Sequence, residues 1–229
     1  MKIGHSSVVI CLALLLSLST CTSDWVARGY RQYRRGEYDL AILSFGIALR
    51  SNPTNTDVLF FRALSFEQIG KPDNALADFR SVLKIAPSSA YVYLARAELH
   101  YHMDDFTNAV SDYRKAIDLG FSDGRLYSGY AWLLATCPDR ALRNGRKAVE
   151  IAEKAVELKG DVYAYSVLAA ALAEVGDYSK AVEMTRTAIG LIDAKKQPDL
   201  LKRSEWCLEL YEARQPWRPK DESVDSDDP

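Results

Sequence analysis

Residues 70–87 read GKPDNALADFRSVLKIAP, and the order of small, apolar and polar residues in that stretch decides the fold. Ala75, Phe79 and Val82 recur at spacings of three and four, which lines them along one face of a helix. Gly70 stands where a preceding helix must stop and reverse, because glycine tolerates the left-handed backbone of such a turn. Pro87 cannot continue the helix, since it lacks an amide hydrogen and its ring clashes with the turn before it. The stretch is therefore the second helix of a helix–turn–helix unit, with its start and its stop.

Working outward, the same positions return. The alanine that opens the apolar face falls at Ala41, Ala75, Ala109, Ala148 and Ala181, with gaps of 34, 34, 39 and 33 residues. In the first unit Trp25 and Gly29 open a helix, Gly36, Glu37 and Tyr38 make the turn, Ala41, Phe45 and Ala48 stripe the second helix, and Pro53 ends it. The second unit places Leu59, Ala63 and Phe66 ahead of Gly70. The third gives Tyr93, Ala97, Phe106, Ala109, Tyr113 and Ala116, and the fifth Tyr165, Ala169, Gly176, Tyr178, Ala181 and Ala188. Small residues at Gly29, Ala63, Ala97, Ala131 and Ala169 let the two helices of a unit approach closely. Thr56, Ser88 or Ser89, and Ser122 or Asp123 stand where the next helix needs a cap.

A 34-residue period carrying this pattern resembles the tetratricopeptide repeat family. The resemblance covers residues 22–194 and implies an all-α, right-handed solenoid of about five helix pairs. The fourth unit departs from the pattern. Its first helix runs from about Arg125 to Thr136 and is stopped by Cys137, Pro138 and Asp139, and the gap of 39 puts five extra residues into the loop before Asn144 or Gly145. That segment looks like a variant found in exported bacterial members of the family. The variant commonly has a second cysteine near Val156; here the position is valine, so the local disulfide that the resemblance would imply is absent. After Lys195 to Pro198, a last helix over 199–215 is expected to be capped by Asp199 and to cover the final unit with Leu200, Ser204, Cys207, Leu208 and Tyr211. Residues 219–229 are acidic and are expected to be disordered.

Ahead of the repeats, Lys2 is followed by an apolar run from Val8 to Leu18. Such a run is too short to span a ~30 Å hydrocarbon core as a helix, and its flanks fit a secretory signal over 1–21. Two readings of its end stand. Leu18-Ser19-Thr20-Cys21 resembles a lipobox with Cys21 as the lipidated residue, though Thr20 departs from the usual Gly, Ala or Ser. Alternatively, ordinary cleavage follows Ser19. Both imply a location outside the cytoplasm: secreted, periplasmic or held to a membrane by lipid.

Composition excludes several classes. A formal net charge of -2 offers no basic excess for nucleic acid. No phosphate-binding glycine loop and no G-x-S-x-G elbow occurs, so neither catalysis nor a cofactor is expected. His100 and His102 lie about 200° apart around a helix, so they do not converge on a metal ion with Asp104 and Asp105. Cys207 is expected to behave as a small buried apolar residue and Cys137, in a loop, as the more reactive thiol, with no bond between them.

The family resemblance implies a groove lined by one face of each first helix. The faces read Val26, Ala27, Tyr30, Tyr33; Phe60, Phe61, Leu64, Glu67; Tyr91, Leu94, Ala95, Glu98, Tyr101; Ser128, Gly129, Trp132; and Tyr163, Ser166, Val167, Ala170. Chaperone-binding relatives hold a terminal carboxylate with Lys, Asn and Arg at five of these places; here they read Val26, Tyr30, Phe61, Tyr91 and Ala95, so that clamp is absent. What remains is an aromatic trough whose candidate partner-binding residues are Tyr30, Tyr33, Phe60, Phe61, Tyr91, Glu98, Tyr101, Trp132 and Tyr163. The expected function is an adaptor that binds a peptide or helix of a partner protein. The alternative is an accessory protein that binds a small ligand or polysaccharide on the same aromatics.

Overall fold

The computed structural model of the chain describes residues 24–218. The leader over 1–21 with Cys21, and the acidic tail over 219–229, lie outside the described residues.

Eleven helices follow one another among the described residues. They are α1 over 24–34, α2 (Tyr38–Ser51), α3 (Thr56–Gln68), α4 (Pro72–Ile85), α5 (Ala90–His102), α6 (Phe106–Asp118), α7 (Gly124–Thr136), α8 (Gly145–Leu158), α9 (Val162–Glu174), α10 (Tyr178–Gly190) and α11 (Pro198–Glu212). The fold is all-α, with helices packed in pairs as solenoid repeats and α11 as the odd terminal helix. Two compact units divide between Val92 and Tyr93, inside α5. In the first, α3 packs on both α2 and α4. In the second, α7 packs on α6, α8 and α9, α9 on α8 and α10, and α11 on α10.

The repeated alanines are the floor of each pair: Ala41, Ala75, Ala109, Ala148 and Ala181 are all fully buried. Close approach is strictest in the first pair, where a Cβ added to Gly29 would lie 2.4 Å from the Phe45 ring. The turns between paired helices use the left-handed conformation, at Gly70 with φ 68 and, one period later, at Asp104 with φ 57. A side chain at Asp104 stores a small strain that glycine avoids.

Buried polar pairs also repeat. Arg62 Nε and Nη2 donate to Asp78 at 2.7 Å each, and Arg96 repeats the fork on Asp112 at 2.7 and 2.8 Å. Both aspartates are buried, so the paired, bidentate geometry is what makes their ionised form tolerable there. In the first pair the equivalent place holds Ser44, whose hydroxyl donates to Gln32 at 2.6 Å. In the fourth pair Tyr130 and Ile151 stand there instead, both buried.

Capping departs from the sequence expectation at two helices. Asn55, rather than Thr56, caps α3 by accepting from the Val58 amide. Asp199 does not cap α11, which starts at Pro198 after Gln197 and has no side-chain cap; proline at the first position removes one of the amides a cap would serve. Asp123 caps α7, and Asn144 caps α8 through the Lys147 amide at 3.0 Å.

The loop inserted in the fourth pair is tightly ordered. Arg143 donates to the Cys137 carbonyl at 3.2 Å, and the Asn144 amide returns to the Leu134 carbonyl at 2.8 Å. Cys137 is consequently buried, with its thiol pushed up by desolvation. This corrects the expected order of thiol reactivity: Cys137 is the shielded sulfur, and Cys207 is half-buried. No disulfide joins the two.

Candidate partner-binding site

In the first unit the candidate aromatics form one connected set of rings. Tyr30 meets Phe61 edge-on at 4.8 Å, Tyr33 meets Phe61 at 5.2 Å, Phe60 meets Phe61 at 5.6 Å, and Phe60 meets Tyr91 at 4.9 Å. The edge-to-face geometry sets positive ring edges on negative ring faces. Tyr30, Tyr33, Phe60 and Phe61 are half-buried and Tyr91 is exposed. Burial raises the hydroxyl pKa of Tyr30, Tyr33 and Tyr91, so all three remain neutral hydrogen-bonding groups at physiological pH. Phe60 and Tyr30 also reach inward, to Phe79 and Phe45 respectively. These two rings are therefore anchors of the pair as well as part of its surface.

In the second unit Glu98, Tyr101, Trp132 and Tyr163 line one hollow of about 140 Å³ together with Tyr113 and Arg125. Trp132 donates its indole N–H to the Tyr101 hydroxyl at 3.0 Å. Glu98 pairs with Arg125 at 3.0 Å. Tyr163 keeps 49% of its surface exposed, but its hydroxyl end is desolvated beside Tyr101 and Glu98, which pushes its pKa to about 12. Burial, the largest influence, takes the Tyr113 hydroxyl well above the ordinary tyrosine range.

Five other residues assigned to the groove face are core instead: Leu94, Ala95, Ser128, Val167 and Ala170 are buried. The first helix of a pair touches more than one neighbour, so most of its circumference is covered. His100 pairs with Asp105 at 3.0 Å while His102 is exposed.

Sequence reading missed one contributor. Past α11 the chain turns back, and Trp217 is buried with its ring 4.7 Å from that of Trp132. Next to it Arg218 donates to Glu174 at 2.7 Å, and Glu174 is also 3.3 Å from Arg143 of the inserted loop. Trp132, Tyr163, Leu200, Cys207, Tyr211 and Trp217 line a second hollow of about 540 Å³. The only signal in the sequence was a tryptophan between two prolines, in a stretch read simply as the end of a helix.

Comparison with known proteins agrees with this architecture. Residues 26–90 and residues 90–119 each match the tetratricopeptide repeat. No curated protein is similar to the chain in sequence. Among solved structures, the chain resembles a MamA protein with 21% identity and a TM-score of 0.64, over 78% of this chain and 94% of that one. It resembles a thermophilic TPR protein in Thermus thermophilus with 21% identity and a TM-score of 0.61, over 82% of this chain and 100% of the other. It also resembles YrrB, described as a TPR protein with an unusual peptide-binding site, with 18% identity and a TM-score of 0.61, over 79% of this chain and 85% of the other. Identities this low speak for the fold alone. Residues 26–119 are thus tetratricopeptide repeats, and helix pairs of the same architecture continue beyond them.

Proposed function

We propose that the protein is an adaptor working outside the cytoplasm, where it holds a peptide or helix of a partner protein on its aromatic faces. The observation that carries the reading is the set of surface rings, Tyr33, Phe61 and Tyr91 in the first unit and Tyr101, Trp132 and Tyr163 in the second. Large aromatics that are half-exposed and already fixed by neighbours bind with little entropy loss and supply most of an interface's affinity. A related fold, that of YrrB, is described as having a peptide-binding site, which favours a peptide as the ligand. The extracytoplasmic location rests on the apolar leader over 1–21, ending in a lipobox-like tetrad at Cys21 or in cleavage after Ser19. The inserted Cys137-Pro138-Asp139 loop, similar to that of exported bacterial repeat proteins, points the same way.

The test combines capture and mass. Protein from its native host is expected to have lost residues 1–19 or 1–20, with a diacylglycerol increment if Cys21 is lipidated; an intact mass retaining Met1 overturns the location. Mature protein is then used to capture partners from an envelope fraction. Tyr91→Ala and Tyr163→Ala, both at exposed rings, are expected to weaken capture by about 1–3 kcal/mol each while leaving helicity unchanged. Undiminished capture by both variants would remove the aromatic faces from the interface.

A second reading draws on the 540 Å³ hollow, which falls in the size range of small-molecule sites. Saturable binding of a short oligosaccharide, with none of peptides, would favour it.

A further inference from the structure

The segment after α11 behaves like something bound to the protein. Helix α11 ends at Glu212, and the chain then reverses through Arg214, which adopts the left-handed conformation at φ 57 without being glycine. The Gln215 amide closes that turn on the Leu210 carbonyl at 3.0 Å. The turn delivers Trp217 against Trp132, the two rings tilted by 54°, and Trp132 is one of the residues that the family's groove pattern marks for partner binding. Trp217 is 5% exposed, and Arg218 pairs with the Glu174 carboxylate at 2.7 Å. An aromatic side chain on a groove tryptophan and a following arginine on a nearby carboxylate are the contacts that a peptide ligand would make.

Two further features fit a seat that can be vacated. The indole N–H of Trp217 finds no acceptor among the described residues, so the segment fills the site without satisfying its own donor. Glu174 also lies 3.3 Å from the Arg143 guanidinium, without a hydrogen bond to its Nε, so when Arg218 leaves, the half-buried carboxylate keeps a cation beside it. The hollow of about 540 Å³ beside Trp217 adds room that this segment does not fill.

We propose that residues 213–218 are a built-in ligand of the second unit, and that the partner recognised there presents the same chemistry, an aromatic residue followed by arginine, and binds by displacing it. The proposal rests on the peptide-binding reading above. It adds the chemistry of the partner and the expectation that the unaltered chain binds more weakly than one whose segment is released, because the competent state is only the fraction in which the segment has let go.

The test uses the full chain and a labelled, end-blocked peptide with the sequence of residues 213–218, Ala-Arg-Gln-Pro-Trp-Arg, followed by fluorescence anisotropy. Trp217→Ala in the protein is expected to bind the peptide at least tenfold more tightly than the unaltered chain. Adding Trp132→Ala is expected to abolish that gain, as is replacing tryptophan by alanine in the peptide. A Trp217→Ala protein that keeps its helical circular dichroism and binds no better than the unaltered chain overturns the proposal. If Trp217→Ala loses its fold, Arg218→Glu gives the same comparison by loosening the segment at Glu174 without opening a cavity; a gain of about threefold or more is expected, and no gain overturns the proposal. Failure here, with partner capture still sensitive to Tyr91→Ala, removes the built-in ligand and leaves the adaptor reading standing.

Discussion

The third and fourth helix pairs solve one packing problem in two ways. At the same repeat position the third pair joins its helices by the Arg96–Asp112 fork, and the fourth by Tyr130 and Ile151. The fork is directional: it fixes the rotation of α5 against α6 and keeps buried charge satisfied. The apolar solution has no directional requirement and depends on close packing, and Tyr130 also stacks on Tyr113 of the preceding pair at 5.7 Å. The repeat therefore constrains the shape of a position more tightly than its chemistry. The price of the charged solution is that it fails badly when halved.

The comparison breaks most visibly if Asp112 is removed. Asp112→Ala strands the largely buried Arg96 guanidinium, and a loss of about 3 kcal/mol in unfolding free energy is expected from denaturant titration. A loss below about 1 kcal/mol would place the fork among ordinary surface ion pairs. Next in size, Ile151→Ala leaves a cavity in the fourth pair, with an expected cost of about 2 kcal/mol, graded by how far the surrounding core relaxes into the space. A negligible cost would mean that the apolar pair is loosely packed and that the two solutions are not equivalent. The smallest effect sharpens the third pair alone. Asp104→Gly relieves the left-handed aspartate in its turn and is expected to raise stability by about 0.5 kcal/mol, the strain relief exceeding the added chain entropy of glycine. A drop in thermal midpoint would show that the aspartate side chain contributes more than its backbone costs.

How far these features could be read in the sequence follows from their periodicity. The alanine series repeats every 34 residues or nearly so because packing fixes it in every pair, and left-handed glycine turns mark the first, second and fifth pairs, so the helix pairs were legible. The Arg–Asp forks repeat as well, at 62 and 96 and at 78 and 112. They are hidden in the sequence because a charged residue on a helix usually reads as solvent-facing. The groove was half legible. Its aromatic members lie at the surface or partly so, but Leu94, Ala95, Ser128, Val167 and Ala170 are core; in α9 burial is continuous from Val167 to Ala173, which leaves no polar face from which to count. Trp217 was not legible at all. Its position depends on a single turn at Arg214, and nothing periodic marks where an isolated segment comes to rest.

The cap of α8 bears on how the protein ages. Asn144 is followed by Gly145, the dipeptide in which a peptide nitrogen closes most readily on the preceding side-chain amide, expelling ammonia to give a cyclic imide that water then opens to aspartate or to its isomer with one extra backbone carbon. Here the Asn144 side-chain oxygen is held by the Lys147 amide at 3.0 Å, and Gly145 is already the first residue of a helix. Closure requires releasing that bond and unwinding the first turn. The cap therefore acts as a chemical preservative, and damage at this dipeptide becomes a clock for how often the start of α8 frays.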